Sequence, residues 1–447
     1  MKRKILIFIL AFLPLLYLTI AVVKYHVDVP FWDQWNFIPL LGKSFDEGVS
    51  LSDLWEEHNE HRLIFPRLIM LVLARVSGYN ISCELVANII LAVGIFVIIL
   101  CHLYKTVKAL GYHDALWVVP ILSLLVVSLH QGENWVWGWQ IQIFMNVFAV
   151  VAGFMLLANR IFKWSLFLGA IFFGILATYS FANGLAYWFL GFFALFLASY
   201  DNRPKKVPII TIWTGATVLI LFSYFYKYQP DFPAGQSLFL FVKNPFDFIQ
   251  YILKYIGASI VTYEEYALFI GLFGLVFFGW MVWLCMRNHR SDINMMLPYF
   301  LLGLYSFSCA ILTGIGRIGF GSSHAVSYRY VTFSLLIWVS NFIFLFLLLY
   351  EIRTQPKNRT ILRIQKFTLI IFIFLLVFLI GRTSYRIGYR VLKSHHKRLL
   401  PARSELLFDK NEDMLRQLYI DTENIKNGIK ILKKHDLSVF REKGNVP

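Results

Sequence analysis

Apolar runs of about 20 residues recur along the whole chain, and no other feature constrains the fold as strongly. A run of that length makes a helix able to cross about 30 Å of hydrocarbon, where every backbone N–H and C=O must be satisfied within the segment itself. Of the 447 residues, 58% are hydrophobic and 15% charged, and the mean hydropathy is +0.63. That is too little charge to cover a soluble protein of this size. The chain therefore reads as an all-α polytopic membrane protein. Spans are expected near 4–24, 82–104, 115–130, 141–158, 165–180, 184–200, 207–226, 265–286, 295–314, 330–350 and 367–382, about eleven in all.

Lys2-Arg3-Lys4 ahead of Ile5 to Val23 has the charge of a signal peptide. The apolar run is long for one and no small-residue cleavage site follows, so an uncleaved first helix is expected. Cys83, Cys101, Cys285 and Cys309 stand singly in or beside apolar runs and read as packing residues. The net charge of +16 would suit a nucleic-acid partner in a soluble protein. Here the cations lie in the turns between spans and in the tail, where topology and anionic headgroups account for them, so no nucleic-acid partner is expected.

Charge asymmetry orients the chain. With a cytoplasmic N-terminus, the inner turns carry Lys105 and Lys108, Arg160 and Lys163, Arg203, Lys205 and Lys206, Arg287 and Arg290, then Arg353, Lys357, Arg359, Arg363 and Lys366. The opposite short turns, Gln131 to Gln140 and Ser180 to Asn183, have no Lys or Arg. Arg62 to Ser77 is apolar but short and broken by Pro66, Arg67 and Arg75. Counted as a span it would put every basic turn outside, so it is expected to be an interfacial helix over about 65–78. The chain then divides into a membrane domain, 1–382, whose first outer loop is 25–64, and an outer helical tail, 383–447. That tail is itself basic, with Arg386, Arg390, Lys393, Lys397 and Arg398, against the usual inner bias of positive charge. The bias is weaker for long terminal segments.

The unusual residues collect on the outer side. The first loop holds Asp28, Trp32, Asp33, Trp35, Asp46, Glu47, Asp53, Glu56 and Glu57, then His58-Asn59-Glu60-His61-Arg62, too long and polar for a plain connector. Later outer turns bring His130 to Trp139, with Glu133, Trp135 and Trp137, then Ser180 to Gly184 with Asn183, and Gly316 to Tyr330 with Arg317 and Arg329. Between them, Lys227 to Glu264 contains an amphipathic helix expected from Pro245 to Ser259. The tail also reads as short amphipathic helices, one from Asp421 to Lys434.

The acidic loop after helix one, the His/Arg element before an interfacial helix, the Gly78-Tyr79-Asn80 turn and the acidic turn after helix three resemble the membrane-embedded GT-C glycosyltransferases. Protein O-mannosyltransferases, aminoarabinose transferases and serotype-converting O-antigen glucosyltransferases belong to that superfamily. The likeness covers residues 1 to about 200 and is looser beyond, although Gly316 to Tyr330 also resembles turns of bacterial multi-pass transferases. An Asp-Glu pair common in the family is Asp33-Gln34 here, which leaves the choice of essential acid among Asp28, Asp33 and later acids. The resemblance implies sugar transfer from a polyprenyl-phosphate donor to an envelope glycan or lipid acceptor, on the outer face of a bacterial inner membrane.

Such transfer needs a base for the acceptor hydroxyl and cations for the departing phosphate. A carboxylate at the bilayer surface suits the first role and arginine, with its bidentate fork, the second. Asp33, Asp28 and Glu133 are the candidate catalytic acids, and Arg62, Arg317, Arg329 and Tyr330 the candidate phosphate contacts. Trp32, Trp35, His61, Trp135, Trp137 and Asn183 are the candidate sugar contacts, with Trp139 a further stacking face. Each has a plainer reading. Tryptophans collect at membrane interfaces as anchors, Asp28 suits a turn ahead of Pro30, Glu133 a solvated turn, and the arginines headgroup anchoring. His58 and His61 with Glu57 and Glu60 have a metal-like spacing but no further ligand, so no cofactor is expected. Two other functions remain open: a transporter or flippase of a lipid-linked or anionic solute, for which no inverted repeat is visible, and an O-antigen polymerase or ligase working from the late outer turn.

Overall fold

A computed structural model describes residues 2–111, 117–229, 240–288, 293–354, 367, 370, 371, 374, 375, 377–408 and 412–441. The described chain is helical apart from one small hairpin. In order it forms α1 (Lys2–Tyr25), α2 (Gln34–Asp46), α3 (Leu51–Trp55), the strands β1 (Glu57–His58) and β2 (His61–Arg62), α4 (Ile64–Ser77) and α5 (Ile81–Ala109). Next come α6 (Val118–Val126), α7 (Ile141–Leu157), α8 (Trp164–Thr178), α9 (Leu185–Leu197) and α10 (Lys206–Phe225). The chain continues through α11 (Pro245–Gly257), α12 (Glu264–Asn288), α13 (Ile293–Arg317), α14 (Val331–Thr354), α15 (Tyr389–Phe408), α16 (Glu412–Leu415) and α17 (Thr422–Lys434). In the hairpin Glu57 lies opposite Arg62 and His58 opposite His61.

Among the described residues, seven helices are long and apolar enough to cross a membrane, and α8 and the 182–197 helix are shorter apolar ones. The protein is thus an all-α membrane protein. The window through α14 is 89% buried and that through α7 83%, against 22% for α1 and α10. The first pair therefore forms the centre, and the second faces the surroundings with apolar side chains such as Phe8, Val218 and Phe222. Helix α6 covers the middle of the span expected at 115–130. The span expected at 367–382 lies partly outside the described residues, as do Arg290, Lys357, Arg359, Arg363 and Lys366.

Polar contacts tie alternate turns together. The Asn294 amide donates to the Asn159 carbonyl at 3.2 Å and its oxygen accepts from the Ser199 N–H at 2.7 Å, while the Asp201 N–H donates to the Arg160 carbonyl at 2.9 Å. These join three of the basic turns at one end of the bundle. The acid- and aromatic-rich turns meet at the other.

Helix α4 takes the place expected of the interfacial segment. Pro66 sits in its first turn, where its missing N–H costs nothing. Met70, Leu71 and Ala74 face inward while Val72 and Val76 are exposed, an apolar outer stripe suited to lying in a bilayer surface. Helix α11 is similar, with Phe246 and Ile249 exposed and Tyr251, Tyr255 and Ile256 buried. It packs so tightly on α12 that a Cβ at Gly257 would stand 1.8 Å from the Ala267 carbonyl, and one at Gly271 1.8 Å from that of Leu253. Only glycine lets two backbones approach this closely.

The tail is continuous with the bundle. Residues 377–408 are helical throughout, so the expected boundary at 382/383 falls inside a helix, along which the packing passes from the bundle core at Ile380 to the first-loop core at Leu392. Beyond it the tail folds back onto the first loop. The Trp32 N–H donates to the Leu418 carbonyl at 2.7 Å and the Ser438 N–H to the Gly78 carbonyl at 2.8 Å. Lys434 pairs with Asp46 at 2.7 Å. Phe31, Trp35 and Ile38 of the loop share one apolar core with Leu399, Leu415, Ile425 and Ile429 of the tail. First loop and tail therefore lie on the same side of the bundle.

Two predictions test this architecture. Cysteines placed at Leu51 and Glu423 should react with an impermeant maleimide from one side of sealed vesicles, and one at Asn202 from the other; a different side for 51 and 423 would contradict the shared core. Gly257→Leu should separate α11 from α12 and destabilise the protein by about 3 kcal/mol or more, in the range of severe overpacking, seen as a fall in thermal midpoint.

Candidate active site

At the acidic end of the bundle, residues from six separate segments enclose a cavity of about 420 Å³. Asp33 comes from the start of α2, His58 to His61 from the hairpin, Trp137 to Ile143 from the turn into α7 and Phe181 to Leu185 from the turn into α9. Phe225 and Tyr228 follow α10, and Leu312 to Arg317, Arg329 and Tyr330 flank the last outer turn. The hairpin makes this possible. By reversing the chain at Asn59, in left-handed conformation with φ 51°, it carries His58 and His61 back over the bundle end.

Charge is arranged in pairs. Asp33 Oδ2 lies 3.6 Å from His58 Nε2. Glu60 forms an ion pair with Arg317 at the end of α13, and its Oε1 is 3.6 Å from His61 Nε2. His61 is packed on the Phe181 ring, centroids 3.9 Å apart. Burial pushes its pKa down to about 4, overcoming the attraction of Glu60. Burial pushes the Glu60 carboxyl up, yet His61 and the Arg317 guanidinium outweigh it and hold the carboxyl below its ordinary value. With His61 neutral at pH 7, Arg317 is the cation that balances Glu60.

Arg329 differs from Arg317. It meets no carboxylate among the described residues; its Nε donates to Ser327 Oγ at 3.2 Å and its guanidinium lies 5.9 Å from the Tyr330 ring centre. Nearby His324 is pushed down to about 4 by burial and then by Arg329 and Arg317. The last turn thus presents a positive field to the cavity.

Several lining atoms lack partners. Trp139 Nε1, Gln140 Oε1, Gln142 Oε1, Glu60 Oε2 and His58 Nε2 are buried without a hydrogen bond. Buried polar atoms are nearly always satisfied, and this group around one cavity offers donors and acceptors to water or a polar ligand. Below them Ile143, Leu185, Leu312 and Ile315 give an apolar wall. A base, a cation, aromatic faces and an apolar strip thus share one enclosure. Among the described residues no three His, Cys, Asp or Glu side chains assemble as a metal-ligating group.

The cavity brings together Asp33, His61, Trp137, Asn183, Arg317, Arg329 and Tyr330 of the candidates read from sequence, with Trp139 beside them. It leaves out the others. Asp28 pairs with Arg441 and accepts the Ile81 N–H at 2.9 Å, which anchors the tail and starts α5. Glu133 lies in the turn before Trp137, outside the lining. Arg62 is spent on Glu57 at 2.7 Å and on the carbonyls of Trp55, Tyr224 and Tyr226, so it joins the hairpin to the end of α10 and leaves phosphate to others. Trp35 and Trp135 are fully buried and offer no face to a sugar, and Trp32 packs edge-on against Tyr419 at 6.1 Å.

Trp135 and Trp137 part company because the 129–135 helix ends at Val136 and the backbone is extended at Trp137, φ −119° and ψ 108°. The Gly132 backbone, φ 55° and ψ −113°, kinks the 129–135 helix, and a Cβ there would press on Tyr328 at 3.1 Å. Trp135, still in the helix, points into the core, where its indole donates to the Ser128 carbonyl at 2.9 Å, and Trp137, past its end, lines the cavity. Gln140, Gln142, Tyr228 and Thr313 were not anticipated as lining residues. The two glutamines carried a signal, being polar at the start of an otherwise apolar helix.

Comparison with protein-family models, with curated proteins and with solved structures gives no match. The cavity's chemistry must therefore be argued from its own residues.

The burial of His61 sets a pH dependence. Between its ordinary value of 6.5 and its folded value of about 4, the unfolded chain takes up a proton that the folded protein refuses. The contribution of His61 to stability is complete above pH 6.5 and is lost as pH falls toward 4, about 3 kcal/mol at most. Glu60 adds a loss of the same sign below its ordinary 4.5. Thermal midpoints should fall over this range more gently in His61→Gln than in the wild type; identical slopes would contradict a neutral, buried His61.

Proposed function

We propose that the protein is a GT-C-type glycosyltransferase that moves a sugar from a polyprenyl-phosphate donor to an envelope glycan or lipid acceptor. The observation that carries this reading is the sharing of one cavity by Asp33 and Arg329, a base and a cation that meets no carboxylate among the described residues, between aromatic faces and an apolar wall. In the proposed step an acceptor hydroxyl attacks the anomeric carbon and its proton passes to Asp33. The bond from that carbon to the phosphate oxygen breaks, and the polyprenyl phosphate leaves with its charge toward Arg329. Arg317, balanced by Glu60, holds the hairpin in place more than it neutralises phosphate.

The same reading supplies the topology. In a scheme of about eleven spans, the first crossing leads to the acidic loop and ten more return the tail to the same side, in keeping with the core that loop and tail share. A cytoplasmic N-terminus in a bacterial inner membrane then puts the cavity on the outer side, where lipid-linked sugars are used.

Asp33→Asn keeps the shape of the side chain and removes the basic oxygen. Sugar transfer from a polyprenyl-phosphate donor should fall about 10²–10⁴-fold, while Asp46→Asn, on an exposed carboxylate held by Lys434, should leave it unchanged. Arg329→Ala should weaken binding of undecaprenyl phosphate about tenfold or more, the loss of one charge-assisted contact. Near-normal transfer by Asp33→Asn would remove it as the base.

A further inference from the structure

The tail carries a feature that sugar transfer does not use. Arg386, Arg390, Lys393 and Lys397 follow one another at intervals of four, three and four residues, which places them on one face of a helix. Arg382 precedes them and Arg403 follows, all six are exposed, and no Asp or Glu occurs from 382 to 404. None of the six meets a carboxylate among the described residues. Like charges at this spacing weaken a helix, so the stripe is a standing cost unless an anion lies along it.

Its direction limits what that anion can be. Tyr385 stacks near Tyr17 of α1 at 6.1 Å, Tyr389 meets Tyr25 edge-on at 5.2 Å, and His396 Nδ1 is 3.3 Å from the Tyr25 carbonyl. The helix therefore climbs beside α1 in the same direction, passes its last residue near His396 and runs on to Phe408, about 18 Å further. Lys24 adds a charge at the level of Tyr25. A flat layer of anionic headgroups would reach Arg382 and Arg386, beside the apolar run of α1. Arg390, Lys393, Lys397 and Arg403 stand at or beyond the level of Tyr25, where an extended polyanion on the side that holds the cavity would run along them.

We infer that this face of the tail binds an extended anionic glycan, a chain bearing carboxylate or phosphate groups that arginine forks hold in pairs of hydrogen bonds. The charged face stands on its own geometry, and that its polyanion is a glycan rests on the transferase reading of the neighbouring cavity.

The test uses the full-length protein in phosphatidylcholine nanodiscs with polygalacturonate as probe and neutral dextran as control. Wild type should bind polygalacturonate and not dextran. An Arg390→Glu, Lys393→Glu, Lys397→Glu variant should lose about tenfold or more in affinity. An equal charge change at the opposite end, Lys163→Glu, Arg203→Glu, Lys205→Glu, should lose far less. If charge reversal impairs folding, the Lys393→Gln, Lys397→Gln pair should still weaken binding severalfold. Equal losses at both ends would show attraction to net charge alone and overturn the inference, as would no binding by the wild type. Tighter capture of phosphatidylglycerol vesicles through the same residues, with no polymer bound, would assign the stripe to lipid and overturn it too.

Discussion

The ion pair between Glu60 and Arg317 joins the first loop to the last outer turn, two of the segments that line the cavity. Glu60 is at the tip of the hairpin and Arg317 at the end of α13, 257 residues away. A half-buried pair of this kind loses part of its hydration and is a weak source of stability, but breaking it leaves a charge without its partner. The pair therefore specifies where the hairpin sits more than how firmly the protein folds. His61 and His58 follow the hairpin into place, and His58 brings the contact with Asp33.

Two apolar cores stand behind this arrangement. One fills the bundle around α7 and α14; the other joins the end of α1, the first loop, α4 and the tail. Asp33 stands where they meet, directly after Trp32, whose φ of 52° is unusual for a bulky residue. Such a backbone persists only where its surroundings hold it. The Leu418 carbonyl, the Tyr419 ring and the clasp of Phe31 between His395 and Arg398 do so. The tail is thus part of the framework that presents Asp33.

Helices were legible in the sequence because hydropathy is a local signal: α7, α8 and α10 begin and end within a few residues of their apolar runs. The short helix α4 was legible for the same reason, its apolar run being bounded within 64–77. What sequence could not tell was which outer turns meet. Asp28 and Asp33 look alike in one loop and are separated by Arg441, 413 residues from Asp28, which takes the first and leaves the second. Trp135 and Trp137 are separated by the end of a short helix at Val136. Arg62 looked as free as Arg329 until Glu57 and three carbonyls closed around it.

The central claim is that the cavity holds a lipid phosphate at Arg329, within reach of Asp33. Extracting the lipid that accompanies the purified protein and measuring its mass tests this most directly. The account predicts a polyprenyl phosphate, with or without a sugar, retained by Asp33→Asn and depleted in Arg329→Ala. Recovery of bulk phospholipids alone, in the same proportions from all three proteins, would contradict it.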